Sequence, residues 1–553
     1  MLDKKLRSSI QTAYSTFLNN RGLKPRASQK EMIAHVARTL GAITSDHEGQ
    51  RSGAAQVCVV EAGTGTGKTL AYLLSTIPIA QSRGKKVVVS TATVALQEQL
   101  IEKDLPQLIS HSGLAFTYSL AKGRGRYFCT ARAEQHLESQ QELGQIALYE
   151  DEVAHKLPQD QIDLYKELLN EFASGRWDGD KDSLSMELAE EAWQPITSDH
   201  IRCTNRRCDH FSSCPFFQSR QKLDVVDLVV ANHDLVLADL SLGGGAILPA
   251  PEDAIYIFDE GHHLADKTRS HFAYNLRLKA GRRWIGQTGK ALNKLVDETG
   301  NHQVIADIAT KSERLLNDLG ATLDDWLMTM DAQYAHRVED GERRFRFASG
   351  VVEESIRTHA KAYAQASDQL TNKFEQALGI LKEAMDGELA DIEKDIAERW
   401  YPAVGMLVSR SQAGCWLARS FSEPDKEGLS PTARWISVVE SAEGDDYEYR
   451  SCPVSAASTL QEHLWDVCYG TLVTSATLTA LGHFGRLSED LGLPGDTAYA
   501  RLPSPFDYPN NAVLEVPAMR TDPKNPQAHT EEVRDYLVDW VPKAQAGLVL
   551  FSS

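Results

Sequence analysis

No run of about eighteen apolar residues, the length a helix needs to cross a bilayer, occurs in the 553 residues. No membrane span is expected. The opening Met1-Leu2-Asp3-Lys4-Lys5 leads into a polar, amphipathic stretch and not into the apolar core of a secretory leader, so the expectation is a cytoplasmic protein. Basic residues are scarce: 58 Lys and Arg stand against 77 Asp and Glu, a formal charge of −19. That balance argues against a generally cationic nucleic-acid binder, because phosphate contacts need local Lys and Arg, but it leaves room for a basic channel. Cysteine is sparse, at eight, and disulfides are not expected in this compartment.

What is present is an ordinary globular balance, 42% hydrophobic and 24% charged, in a chain long enough for several cores. Its centre is Val57-Cys58-Val59-Val60-Glu61-Ala62-Gly63-Thr64-Gly65-Thr66-Gly67-Lys68-Thr69. An apolar run ends at a glycine-rich turn, and Lys68-Thr69 open an apolar helical stretch; this is the context of a phosphate-cradling P-loop. Backbone N–H groups of Gly63, Thr64, Gly65, Thr66 and Gly67 would turn around a polyphosphate, Lys68 would reach the β/γ-phosphates, and Thr69 would hold Mg²⁺. Ala62 stands where the motif has its first glycine, a small side chain that leaves the nest intact.

Upstream, Arg26 and Gln29 precede the P-loop strand, and Gln29 could pair with an adenine edge. Downstream, Val87-Val88-Val89 runs into Ser90-Thr91-Ala92-Thr93, whose hydroxyls could contact a phosphate backbone or cap a helix. Further strands are read at Asp227–His233 and at Ile255-Tyr256-Ile257-Phe258-Asp259-Glu260. Four apolar residues followed by paired carboxylates form a Walker B strand, with Asp259 on the metal and Glu260 on the attacking water. Alternating strands and helices predict a parallel sheet with ligands at the strand C-termini.

Between these strands stand Cys129 and then Cys203, Cys208 and Cys214. Four thiolates could bind zinc or an iron–sulfur cluster; only the first gap of the trio has zinc-knuckle spacing, which favours [4Fe–4S]. Cys58, Cys415, Cys452 and Cys468 read as buried free thiols. Residues 141–196 are acidic and helical in pattern, with Trp177 and Trp193 as packing anchors. The basic clusters Lys122-Gly123-Arg124-Gly125-Arg126, Arg202 with Arg206 and Arg207, Arg282-Arg283, and Arg343, Arg344 and Arg346 read first as solvated faces. From about 266 to 440 the pattern is helical, with Phe374, Leu378, Leu381, Met385, Leu389, Ile392 and Ile396 as a core stripe. A hairpin is expected from Trp435–Val439 to Tyr447–Tyr449. Then come a buried strand, Gly470–Thr474, entering Ser475-Ala476-Thr477-Leu478, a short strand around Val513–Val516, a helix through Val533, Tyr536, Leu537 and Trp540, and a strand over Gly547–Ser553.

This order resembles the superfamily 2 helicases of the XPD/DinG iron–sulfur type, nearest its bacterial branch. The resemblance rests on Arg26 with Gln29, Ala62 to Thr69, Ser90-Thr91-Ala92, Gly123-Arg124-Gly125-Arg126-Tyr127 before Cys129, the Cys203, Cys208 and Cys214 spacing, Ala231-Asn232-His233, Asp259-Glu260-Gly261-His262 and Thr474-Ser475-Ala476-Thr477-Leu478. It implies an α/β, RecA-like parallel sheet with an inserted iron–sulfur domain and a helical Arch domain: motor lobe 1 over 1–121, 222–265 and 446–485, the cluster domain over 122–221, the Arch over 266–445, and the opening of a second lobe over 486–553. It further implies an ATP- and Mg²⁺-dependent enzyme, monomeric, that translocates 5′→3′ on single-stranded DNA and unwinds forked or structured duplex, as in DNA repair, with a [4Fe–4S] cluster on the four cysteines. The resemblance places arginines that reach the γ-phosphate in the second lobe, so the sequence ending at Ser553 is expected to be an incomplete helicase with reduced activity. The competing expectations are an RNA-directed or structure-specific translocase and a redox-responsive nucleic-acid-binding module that does not hydrolyse ATP.

Overall fold

The computed structural model describes residues 3–138, 158–186, 188–199, 203–339, 343–347, 350–389, 391–425, 431–440, 444–543 and 549. The chain divides into two compact units, Met1–Pro503 and Ser504–Ser553. The first is organised by a seven-stranded sheet in the order Ala498–Leu502, Val57–Ala62, Gly470–Ser475, Ala254–Asp259, Lys86–Thr91, Leu228–Asn232, Tyr118–Leu120. Every pairing in it is parallel.

The apolar runs take this form because both faces of the sheet are covered. On one side Cys58, Val60, Val87, Val89, Val230, Ile257 and Leu472 pack with the helices Lys4–Arg21, Ala27–Gly41 and Lys68–Ser82. On the other, Val57, Val59, Val88, Val229, Tyr256, Phe258 and Val473 pack with Leu235, Leu264, Leu460 and Trp465. Alternate residues point to opposite faces, so strands with two buried faces read as continuous hydrophobic runs.

Two long excursions interrupt the sheet. Between Tyr118–Leu120 and Leu228–Asn232 lies the cysteine-bearing segment, whose small core gathers Phe128, Tyr165, Leu168, Trp177, Trp193 and Ile196. Trp177 and Trp193 are packing anchors as expected, with ring centroids 6.2 Å apart; the part of 141–196 at 141–157 lies outside the described residues. Between Ala254–Asp259 and Gly470–Ser475 lies the helical domain, built on the helices Leu278–Glu298, Gln303–Glu339, Glu354–Met385 and Lys394–Ser422. The Phe374–Ile396 stripe is buried or packs against the core, but it is not one helix: the first helix ends at Met385, Gly387 takes a left-handed φ of +76°, Leu389 and Ile392 lie in the connection, and the next helix begins at Lys394.

The expected hairpin is larger than the sequence suggested. Thr432–Val439 pairs antiparallel with Asp446–Pro453, and Tyr274–Arg277 and Arg344–Arg346 extend it to a four-stranded sheet. Three further expectations are corrected. The ladder runs to Pro453, so residues 446–453 go with the helical domain and not with the motor sheet. Ala498–Leu502, expected in a second lobe, pairs with Val57–Ala62 as an edge strand of the first sheet. Val513–Val516 is not a strand; its Val513, Leu514 and Val516 side chains are exposed, and an extended segment becomes a strand only beside a partner. In this second unit the helix Pro526–Trp540 forms as expected, with Asn525 accepting from Ala528 N at 3.4 Å. The strand expected over 547–553 lies outside the described residues apart from Val549.

Candidate active site

The P-loop leaves its strand at Ala62 and turns through Gly65 and Gly67, whose φ of +80° and +78° fall where side chains with a Cβ are strained. Thr66 Oγ1 donates to Gly63 O at 2.6 Å, and Gly63 N donates to Leu502 O at 3.1 Å. Lys68 then opens the helix Lys68–Ser82, with Thr69 beside it in the first turn. Residues 62–69 are therefore a glycine-rich turn leading into a helix N-terminus, the geometry that collects oriented N–H groups around an anion.

Arg26 and Gln29 arrive at this loop from the helix Ala27–Gly41 and its approach. Arg26 Nη1 donates to Gly65 O. Gln29 Nε2 donates to Gly67 O at 3.2 Å while its Oε1 accepts from Tyr14 OH at 3.0 Å. Each end of the carboxamide thus makes one bond within the protein, and through them Gln29 braces the loop.

Sheet register brings the carboxylates to the same rim. Asp259 is the last residue of its strand and pairs with Thr474, while Ser475 pairs with Glu61 at the end of the P-loop strand. Tyr72, one helical turn beyond Lys68, donates to Asp259 Oδ2 at 3.0 Å. Burial pushes the Asp259 carboxyl up to about 6, against the Tyr72 hydrogen bond that lowers it. Glu260 follows in a left-handed conformation, φ +56°, which turns its side chain back over the rim: Lys68 Nζ stands 3.8 Å from Glu260 Oε1. Ser475 Oγ donates to Glu260 Oε2 at 2.7 Å, and His262 Nδ1 lies 2.7 Å from the same hydroxyl. The hydroxyl has one proton, which it gives to the carboxylate, so the ring must present Nδ1–H to Ser475. The same Nδ1 is 3.3 Å from Glu260 Oε2, a contact that the N–H tautomer also suits.

Lys68, Asp259 and Glu260, predicted separately, are thus brought together, with Thr69 on the same turn. Sequence reading passed over Tyr72, although a residue four beyond a P-loop lysine shares its helix face. It also passed over Glu61, whose carboxylate accepts from Leu478 N and Thr479 N at 2.8 and 2.6 Å and from Arg501 Nε at 2.9 Å. At the next strand, Ser90 Oγ lies 2.6 Å from Nδ1 of the fully buried His233, while Thr93 caps the helix that follows, accepting from Leu96 N at 3.4 Å.

Three of the four cysteines share one cavity in the inserted segment, and Cys214 is not among its lining residues. Cys129, Cys203 and Cys208 line a cavity of about 310 Å³ together with Asp395, Glu398 and Arg399 of the helical domain. Among the described residues no three Cys, His, Asp or Glu side chains are grouped to hold a single metal ion. The thiols nevertheless act on one another: Cys203 and Cys208 raise Cys129, and Cys203 raises both Cys208 and Cys214. Burial is the largest cause in each case and takes the Cys129 thiol up to about 12. Opposing it, backbone N–H groups face the sulfurs: Asn205 N donates to Cys203 Sγ at 3.4 Å, and the amides of Arg132, His210 and Phe216 with Phe217 lower Cys129, Cys208 and Cys214. Cys58, Cys415 and Cys468 are buried and Cys452 partly so, all free.

The basic clusters are largely paired. Lys122 meets Asp182 at 2.8 Å and also Asp180, and Arg126 meets Asp182. Arg207 forms a two-pronged pair with Asp386, Arg282 meets Asp324 at 3.0 Å, and Arg343 meets Asp445 at 2.6 Å. Arg124 lies over the Phe216 ring at 4.2 Å. Arg202 lies outside the described residues. Among the described residues no helix is long and apolar enough to cross a membrane.

A DEAD/DEAH box helicase model matches residues 37–138, and a DEAD_2 model matches residues 187–280. The ATP-dependent DNA helicase DinG of Photobacterium profundum is 33% identical over 566 residues, covering 100% of this chain and 77% of that protein. The ATP-dependent DNA helicase DinG of Escherichia coli (strain K12) is 31% identical over 551 residues, covering 96% of this chain and 72% of the relative. Among solved structures an XPD helicase aligns with a TM-score of 0.39 and 12% identity, covering 95% of this chain and 71% of that one. With a relative 33% identical, of which it spans 77%, the chain belongs to the DinG family of ATP-dependent DNA helicases.

Proposed function

We propose that this chain is an ATP-driven motor that moves 5′→3′ along single-stranded DNA and separates forked or structured duplex. The observation that carries the proposal is the meeting of Lys68 and Glu260 at 3.8 Å, beside an Asp259 that is tied to the P-loop helix through Tyr72 at 3.0 Å. In this reading residues 63–69 hold the phosphates of ATP through backbone N–H groups, and Lys68 neutralises the β/γ-phosphates. Thr69 and Asp259 would hold Mg²⁺, which supplies further charge neutralisation between those phosphates. Glu260, oriented by Ser475 and His262, accepts the proton of the attacking water. Arg26 and Gln29 keep the loop open to its ligand.

Cys129, Cys203, Cys208 and Cys214 would hold a [4Fe–4S] cluster. What supports this reading is the donor set: three of the four thiols line one cavity, and each of the four faces at least one backbone N–H. Amide donors at sulfur favour the thiolate a cluster needs and tune its potential. When bound, the cluster supplies a covalent tie across the inserted segment and a one-electron redox centre.

The test is ATP hydrolysis by the chain with and without single-stranded DNA, beside Lys68→Ala, and strand separation on substrates with a 5′ or a 3′ overhang. The proposal expects DNA-stimulated hydrolysis that Lys68→Ala abolishes, and unwinding only from the 5′ overhang. Unwinding from the 3′ overhang, or hydrolysis that ignores Lys68, overturns it. Iron and labile sulfide in near-equal amounts in anaerobically purified protein support the cluster; stoichiometric zinc without sulfide refutes it.

A further inference from the structure

The last residue before the P-loop turn's Ala62 is a carboxylate that the nucleotide chemistry does not use. Glu61 is 7% exposed and stands one residue before the end of the P-loop strand, in register with Ser475. It accepts from Leu478 N at 2.8 Å, from Thr479 N at 2.6 Å and from Thr479 Oγ1 at 2.8 Å through Oε2, and from Arg501 Nε at 2.9 Å through Oε1. Those donors come from the turn after Ser475 and from the edge strand Ala498–Leu502. One side chain therefore ties together the exits of three parallel strands.

The tie has a direction. Ser475 is the strand residue that leads into the turn, and it gives its proton to Glu260 Oε2 at 2.7 Å; Thr477 N in turn donates to Ser475 Oγ at 3.3 Å. Leu478 and Thr479, the residues Glu61 grips, are the next two along. The P-loop is thus linked to Glu260 by two routes: directly, Lys68 to Glu260, and through Glu61, the turn 476–479 and Ser475. Four donors outweigh the burial of the Glu61 carboxylate and hold it below the usual carboxylate range, so the clamp is charged and its hydrogen bonds are of the strong, charge-assisted kind.

We propose that Glu61 is a positioning residue that transmits occupancy of the P-loop to the turn Ala476–Thr479, and through Ser475 to the orientation of Glu260. A P-loop that closes on a polyphosphate moves its own strand end, and Glu61 is the group on that end bonded to the turn. Glu61 touches neither substrate nor metal; it sets where Ser475 stands. The inference rests on the proposed nucleotide site and adds to it a path between two of its segments.

The experiment is backbone hydrogen exchange of residues 476–479 in the whole chain, with and without Mg²⁺ and the non-hydrolysable ATP analogue AMP-PNP, alongside the dissociation constant of that analogue. In the unsubstituted chain the analogue slows exchange of the turn about tenfold or more. Glu61→Gln, which turns an NH₂ group toward donors, holds the dissociation constant within about threefold while the turn no longer responds; one lost charge-assisted bond suffices for a change of that size. Thr479→Val removes only the hydroxyl bond and halves the response on a logarithmic scale, which serves if Glu61→Gln folds poorly. A turn that responds in both variants as in the unsubstituted chain overturns the inference. Lys68→Ala separates the two claims: if it binds the analogue normally, the nucleotide-site reading fails, whereas an intact Lys68 dependence with an unaltered Glu61→Gln response removes Glu61 alone.

Discussion

Ser475 and Glu260, 215 residues apart in sequence, share a hydrogen bond of 2.7 Å across two neighbouring parallel strands. The serine donates, so the carboxylate keeps its charge and its remaining lone pairs for a water. Ser475→Ala should therefore lower kcat by about 10- to 100-fold, the range typical for the loss of a partner that orients a reacting group, while KM for ATP stays within about twofold because the P-loop is untouched. Steady-state ATP hydrolysis with saturating single-stranded DNA checks this; a change in KM alone contradicts it.

A pH dependence arises two strands away, where the helix His233–Ser241 follows Leu228–Asn232. His233 is fully buried, and burial lowers its ring to about 4 from an ordinary 6.5. The groups that face it are Ser90, the backbone of Glu260, Asp234, His263 and Lys267. A histidine depressed in the folded state binds fewer protons than in the unfolded chain, so its stabilising contribution is whole above pH 6.5 and is lost as pH falls towards about 4. The loss over that window is about 3 kcal/mol. His233→Asn should flatten the fall in Tm between pH 6.5 and 4 relative to the unsubstituted chain; parallel curves for the two proteins contradict the assignment.

How much of this was legible in the sequence depends on where each residue's partners lie. The P-loop, the Asp259-Glu260 pair and the continuous apolar strands announce themselves because each is a local pattern, and the sheet only had to place one beside another. Glu61 was silent because its partners come 417 and 440 residues later. Tyr118–Leu120 is three half-buried residues, too short to carry a period. Ala498–Leu502 alternates partly buried with exposed residues, as an edge strand does, and so does not read as part of a buried sheet. Val513–Val516 shows the converse, strand-like composition without a partner. The spacing of the four cysteines is a sequence pattern, but the amides that face their sulfurs depend on local turns such as the left-handed Asn205, φ +54°.

Those amides give a third prediction. Asn205 N donates to Cys203 Sγ from a left-handed residue, a conformation that glycine adopts without strain and proline cannot. Asn205→Gly should keep iron and sulfide at the unsubstituted level, while Asn205→Pro, which removes the N–H and forbids the φ, should lower both together. Metal and sulfide analysis of anaerobically purified protein reads the result; equal loading of the two variants removes the amide from any role at the sulfur.

Gly67 provides the sharpest steric test. Its φ is +78°, and a Cβ placed there would stand 2.4 Å from Gln29 Nε2, a side chain pinned at its other end by Tyr14 at 3.0 Å. Gly67→Ala therefore meets two obstacles: a backbone conformation that alanine adopts at a cost of about 1–3 kcal/mol, and a contact that stands only if the end of the Gln29 side chain shifts away from the loop. The variant should bind Mg²⁺ with AMP-PNP at least about tenfold more weakly, since 1.4 kcal/mol is a factor of ten. Adding Gln29→Ala removes the clash and leaves the backbone strain, so Gly67→Ala with Gln29→Ala should recover part of the loss. If the double variant binds no better than Gly67→Ala, strain alone sets the loop; if it recovers fully, the glycine is there for space and its dihedral angle is incidental.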